Sequence, residues 1–248
     1  MAEAATRMKS RAKLAFVIGI SDYESKRILL NAKNDAQDMS RILKTMGFVV
    51  KEELNLTRHA MKLACINFKQ SIGKGDLVVF YFAGHGIQFG GENYLIPKDD
   101  NNVGADLRRR ALSVHSILEK CSESDPFATI FLLDCCRTYP VDQMNEKYRS
   151  GVEQSPNMVG LKEMSYAGSL IAFACAPGAV ANECPGERNG LFTKHILQHI
   201  SKPDQDIRKI LADVTNGVAQ ESNFRQRPYL SVSLTHTHVC LYENATGT

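Results

Sequence analysis

Short runs of consecutive apolar residues alternate along the chain with stretches in which apolar residues recur every three or four positions. Leu14–Ile20 (LAFVIGI), Asp76–Phe82 (DLVVFYF), Ala128–Asp134 (ATIFLLD) and Leu170–Cys175 (LIAFAC) are of the first kind. Runs of this length, bounded by turn residues, predict strands buried on both faces. Asn31–Met46 is of the second kind, with Ala32, Ala36, Met39, Ile42, Leu43 and Met46 on one helical face and Gly47 where a C-terminal cap belongs. Phe48–Leu54 predicts a short strand, and Thr57 caps a helix that runs to about Ser71 and is ended by Gly73 and Gly75. Phe89–Ile96 reads as a hairpin. Ser113–Cys121, Phe192–Ile200 and Asp206–Gln220 read as helices, and Tyr229–Leu234 and His238–Tyr242 as one or two final strands. This alternation predicts an α/β fold, a three-layer α/β/α sandwich with a mostly parallel central sheet.

Between Thr138 and Ala167 the pattern lapses into a polar stretch with Gly, Pro and little periodicity. A loop this long inside a compact domain is usually functional or disordered. The reading is therefore one domain over residues 14–242, with a large part 14–137, a joining loop 138–167 and a small part 168–242. An extension (1–13) and a tail (243–248) flank it.

Composition narrows the class. A chain of 248 residues with 44% hydrophobic and 23% charged residues can bury one sizeable core without a staple. A net charge of +3 gives no argument for a nucleic-acid partner, and the one dense basic cluster, Arg108-Arg109-Arg110, reads as a solvated loop or helix start. No stretch reaches the roughly 18 apolar residues of a membrane span, and Met1–Lys13 lacks the apolar core of a signal peptide. Seven cysteines, two of them adjacent, make a poor disulfide framework and point to a reducing compartment, the cytoplasm or nucleus. No C-x-x-C pair or phosphate-loop pattern is present, and His195 and His199, at metal-ligand spacing, lack a third ligand.

The chemistry is carried by two strand ends. Tyr81-Phe-Ala-Gly-His-Gly86 and Phe131-Leu-Leu-Asp-Cys-Cys-Arg137 each close an apolar run with a reactive side chain, His85 and Cys136. Residues just past the carboxyl ends of parallel strands converge on one crevice, where a thiol and an imidazole form a nucleophile–base pair. A free thiol, with a pKa of about 8.5, needs such a neighbour to attack as thiolate. Gly84 and Gly86 let the backbone approach a ligand closely. The N–H groups of Gly86 and Cys136 are the candidate oxyanion donors.

These residues bring a resemblance into view. F-V-I-G-I followed by Asn34-Asp35-Ala36, then Y-F-A-G-H-G and L-L-D-C-C-R, resemble the caspase-fold cysteine peptidases, and within them the chain is most similar to paracaspases, with metacaspases next. The resemblance runs from Leu14 to about Tyr242. Order and spacing agree with the caspase arrangement, the His lying about 50 residues before the Cys. The resemblance selects Cys136, two residues after the Asp, over Cys135 as the nucleophile.

It also implies a specificity. True caspases carry Gln two residues before the nucleophile, where this chain has Asp134. Paracaspases and metacaspases use carboxylates that accept a basic side chain, and the matching positions are Asp35, Asp134 and Glu183. Such a cluster suits a guanidinium, which bonds carboxylates in pairs, better than an ammonium. The expectation is cleavage of peptides and proteins after Arg, with Lys weaker and Asp rejected. Cys136-Arg137-Thr138-Tyr139 departs from the metacaspase pattern and favours the paracaspase branch, hence no calcium requirement and no metal or other cofactor. Arg149, in the joining loop, is the expected self-cleavage site. Relatives of this fold pair through a terminal strand, so a homodimer edge is expected near His238–Tyr242. The rival readings are a calcium-dependent metacaspase-like protease, a caspase-like enzyme cleaving after Asp, a peptide ligase of the same chemistry, and a catalytically silent scaffold.

Overall fold

Strands that lie between two helical layers must be apolar on both faces, and the central strands of this protein are. The computed structural model describes residues 11–24, 28–89, 91–101, 107–137, 166–179, 181, 184 and 186–244. Among them β1 (Lys13–Gly19), β2 (Val49–Leu54), β3 (Leu77–Ala83), β7 (Ala128–Asp134), β8 (Ser169–Phe173) and β9 (Tyr229–Ser233) form one sheet in the order β2-β1-β3-β7-β8-β9. All neighbours are parallel except β8 and β9. Every residue of β3 is buried.

The two faces differ in kind. Val17, Val79, Tyr81, Ile130 and Leu132 point to one side, against α1 (Ala32–Thr45), α5 (Leu191–His199) and α6 (Ile207–Glu221). Phe16, Phe80 and Phe131 point to the other, against α2 (Arg58–Ser71) and α4 (Val114–Ser122). There Phe80 stacks on Phe131 with ring centroids 4.6 Å apart and meets Phe16 edge-on at 5.8 Å. Truncating a buried Phe of this kind to Ala costs about 3–5 kcal/mol.

Helix limits follow local chemistry. The hydroxyls of Thr57 and Ser113 accept the N–H groups of Ala60 and Ser116, capping α2 and α4. Gly47, at φ +86°, takes the left-handed position just past α1. A second, antiparallel sheet of β4 (Gly86–Phe89), β5 (Glu92–Leu95) and β6 (Leu112–Ser113) grows out of the turn after β3. The short helix α3 (Leu107–Arg110) carries the Arg triplet.

One expectation is corrected. Residues 238–242 are not a strand: they make a single bridge, Asp206 to Cys240, and the sheet ends at β9. Val239 and Leu241 are buried in the α1, α5 and α6 core, and the Val239 and Tyr242 carbonyls accept the N–H groups of Ile207 and Asp204. The alternation that suggests a strand comes from packing against the start of α6. Among the described residues the edges of the sheet are therefore β2 and β9.

Candidate active site

Register alone brings the two reactive residues together. Ala83 of β3 is paired with Asp134 of β7, and His85 and Cys136 each lie two residues beyond that pair. The Gly84 N–H donates to the Asp134 carbonyl at 3.2 Å, extending the junction past the strands. Both turns lack room for a larger residue. A Cβ on Gly86 would lie 2.6 Å from Cys135 Sγ and 2.8 Å from the Cys136 carbonyl. One on Gly84 would lie 2.7 Å from the Phe82 ring and 2.8 Å from the Tyr23 hydroxyl. The glycines are required by this close approach.

The backbone N–H of Gly86, the expected oxyanion donor, is not taken up by the β4–β5 ladder. Gly86 stands opposite Leu95, and the Ile96 N–H bonds the His85 carbonyl at 3.0 Å. That pattern makes Gly86 and Leu95 a non-hydrogen-bonded pair, so the Gly86 N–H points away from β5.

The thiols at 135 and 136 differ. Cys135 is buried, and burial, with the nearby Cys175 thiol adding to it, pushes its pKa well up. Cys136 is partly exposed, and its Sγ lies 3.4 Å from the Ala181 N–H and 3.8 Å from the Ala181 carbonyl. The next residue anchors this turn: the Arg137 N–H donates to the Ala179 carbonyl, its Nε donates to Asn93 Oδ1, and its guanidinium lies 4.1 Å from the Phe173 ring centroid. All seven cysteines are free thiols.

Two of the three expected pocket carboxylates converge. A Cβ on Gly190 would sit 3.2 Å from Asp35 Oδ2 and 3.3 Å from Asp134 Oδ2, so the two acids flank that glycine. Asp35 Oδ1 accepts the Gly190 N–H and the Asn189 amide, each at 3.0 Å. Asp134 Oδ2 accepts the Thr193 N–H at 3.2 Å and its hydroxyl at 2.6 Å, and the Thr193 hydroxyl also meets Tyr81 Oη at 2.5 Å. Burial, then the charge of Asp134, raise the Asp35 pKa to about 8. Glu183 and Arg149 lie outside the described residues, as does most of the joining loop.

Some of the supporting residues have no signal in the sequence pattern. Tyr23 lies between β1 and α1, and its hydroxyl accepts the His85 N–H at 2.7 Å. Arg188 grips Asp38 through Nε and Nη2 at 2.7 and 2.9 Å, which holds the Asp38 pKa down near about 2 and fixes the turn that carries Asn189 and Gly190. Among the described residues no cluster of three or more His, Cys, Asp or Glu could hold a metal ion, and no helix is long and apolar enough to cross a membrane.

A mostly parallel six-stranded sheet with a histidine turn and a cysteine turn side by side at its carboxyl edge is the arrangement of a caspase-type protein. The Caspase domain family matches residues 12–239, and the chain belongs to it. It is 27% identical over 213 residues to the human mucosa-associated lymphoid tissue lymphoma translocation protein 1, covering 85% of this chain and 24% of that one. It is 23% identical over 225 residues to the protein called paracaspase in Dictyostelium discoideum, covering 85% and 49%. The chain thus spans from about a quarter to half the length of these relatives. The crystal structure of caspase-1 from Spodoptera frugiperda superposes with a TM-score of 0.70 at 16% identity, covering 96% of this chain and 92% of that one. This is a caspase-like protease fold, most like the paracaspases.

Proposed function

We propose that this protein is a cysteine endopeptidase that cleaves after Arg, with Lys accepted less well. The Cys136 thiolate attacks the carbonyl carbon, and His85 takes the thiol proton and delivers it to the departing amine. The Gly86 and Cys136 N–H groups hold the oxyanion. Water then enters with His85 as base and releases the acyl group as an acid.

The observation that carries the specificity is the pair of carboxylates at Asp35 and Asp134 on either side of Gly190. A substrate Asp brought there would meet like charge. A guanidinium would complete the pair, exchanging a repulsion for two charge-assisted bonds. Glu183 belongs to the same proposed pocket, and Arg149 is the proposed self-cleavage site. The proposed enzyme needs no calcium, works in the cytoplasm or nucleus, and pairs as a homodimer through β9.

Matched fluorogenic peptides ending in Arg, Lys or Asp test the reading, with wild type and Cys136→Ala, in calcium and in chelator. Arg cleavage that persists in chelator and is lost in Cys136→Ala is the expected result. Asp cleavage would overturn the pocket assignment, and strict calcium dependence would overturn the calcium-free mechanism.

A further inference from the structure

The aromatic face of the sheet carries a cavity of about 510 Å³ between α2 and α4, closed on one side by Glu92 and Tyr94 of β5 and lined by neither His85 nor Cys136. That volume is within the range of ligand sites, roughly 300–1,000 Å³. Its chemistry is lopsided: Arg58, Lys62, Lys69, Arg108 and Lys120 line it against a single acid, Glu92. The whole chain has a net charge of only +3, so its positive excess is concentrated here. Ile66 and Ile117 supply an apolar surface between the cations, and Ile66 is 37% exposed.

Several of these cations have nothing to hold. Among the described residues Lys62 and Lys120 form no salt bridge, and the buried Nε of Arg58 has no hydrogen-bond partner. Lys69 is tied to Glu123 at 3.0 Å, but both side chains are substantially exposed, and such pairs are worth little. Glu92 is engaged by the Tyr94 hydroxyl at 3.0 Å.

The layout selects the shape of the ligand. Arg58, Lys62, Cys65, Ile66 and Lys69 form a stripe along α2, and Ser116, Ile117 and Lys120 form the facing stripe on α4, with its cap Ser113 at the head. At 1.5 Å per residue, Arg58 and Lys69 stand about 16 Å apart along the helix. A single phosphate cannot span that, whereas about five residues of extended chain can. We propose that this groove docks an acidic segment of a protein partner, with apolar side chains set on Ile66 and Ile117 and carboxylates on the flanking Lys and Arg residues.

The docking is independent of the peptidase reading and is measured without it. The protein carrying Cys136→Ala, which cannot cut the probe, is titrated into a fluorescein-labelled peptide of about seven residues alternating Glu and Leu. Saturable binding that weakens as salt rises is expected. Adding Lys62→Glu and Lys120→Glu, both at exposed positions, should weaken binding on the order of tenfold or more. A readout that needs no groove variant is amide exchange, which should slow in α2 and α4 when the peptide is bound. Equal binding of a Lys–Leu peptide, displacement by inorganic pyrophosphate at the same concentration, or exchange slowed elsewhere and not in these helices would each overturn the proposal.

Discussion

Tyr23 holds His85 at two points: its hydroxyl accepts the His85 N–H at 2.7 Å, and its ring lies 4.4 Å from the imidazole, centroid to centroid. The same hydroxyl donates to the Ile96 carbonyl at 3.3 Å, so it links the histidine turn to the segment after β5. Tyr23→Phe keeps the ring and removes the acceptor of a half-buried N–H, at a cost of about 0.5–1.5 kcal/mol. Thermal unfolding should show that loss, and kcat should fall about ten- to a hundredfold through a misplaced base. A lower melting temperature with unchanged kcat would show that other contacts aim the imidazole.

Gly86→Ala should remove peptidase activity by about a hundredfold or more. The new Cβ meets both Cys135 Sγ and the Cys136 carbonyl, and the carbonyl cannot move without moving the nucleophile. Combining it with Cys135→Ala removes the sulfur and leaves the carbonyl clash. The double variant should therefore regain stability and not activity, as read from melting curves and turnover side by side.

Alkylation should separate the adjacent thiols. Brief iodoacetamide treatment followed by peptide mapping is expected to label Cys136 and spare Cys135, whose burial disfavours the thiolate. Cys135→Ala should retain most turnover. Loss of turnover in Cys135→Ala with a folded protein would reassign the nucleophile.

The Asp35–Asp134 pair should titrate near pH 8. Asp35 keeps its proton in the folded protein up to about pH 8, whereas in the unfolded chain it loses it near 3.8. The stabilisation it gives is full below about pH 4 and is lost as pH rises through about 8. Asp38 runs the other way, with stability full above about pH 4 and lost as pH falls through about 2. Asp35→Asn should thus gain melting temperature over wild type as pH rises from 5 to 8. Its kcat/KM for Arg peptides should drop by tenfold or more, the drop widening toward pH 8 as wild type gains its second charge. A ratio of the two enzymes that stays flat with pH would remove Asp35 from Arg recognition.

How much of this was legible in the sequence depends on how far apart the partners lie. The buried strands read directly as apolar runs, and His85 and Cys136 could be paired because both follow such runs. The Asp35 and Asp134 pairing came through resemblance to paracaspases. Their hydrogen-bond partners did not: Asn189 and Gly190 reach Asp35 across more than 150 positions, and Arg188 reaches Asp38 across 150. No periodicity records such a contact. Tyr23 was missed for a related reason, since it sits in a polar turn where a lone aromatic has no repeating neighbours. Residues 238–242 misled in the opposite sense, because Val239 and Leu241 alternate inward as a strand's would while burying themselves beside α6.

The pairing of β7 with β8 spans the joining loop, from Thr129 opposite Ser169 to Leu133 opposite Phe173. Covalent continuity between residues 137 and 166 is therefore separate from the continuity of the sheet. A chain nicked between them would migrate as one species in a native gel and as two fragments in detergent, its halves held by a ladder in which every residue of β8 is buried. Cutting there would create two new chain termini while the sheet beneath the His85 and Cys136 turns stayed assembled.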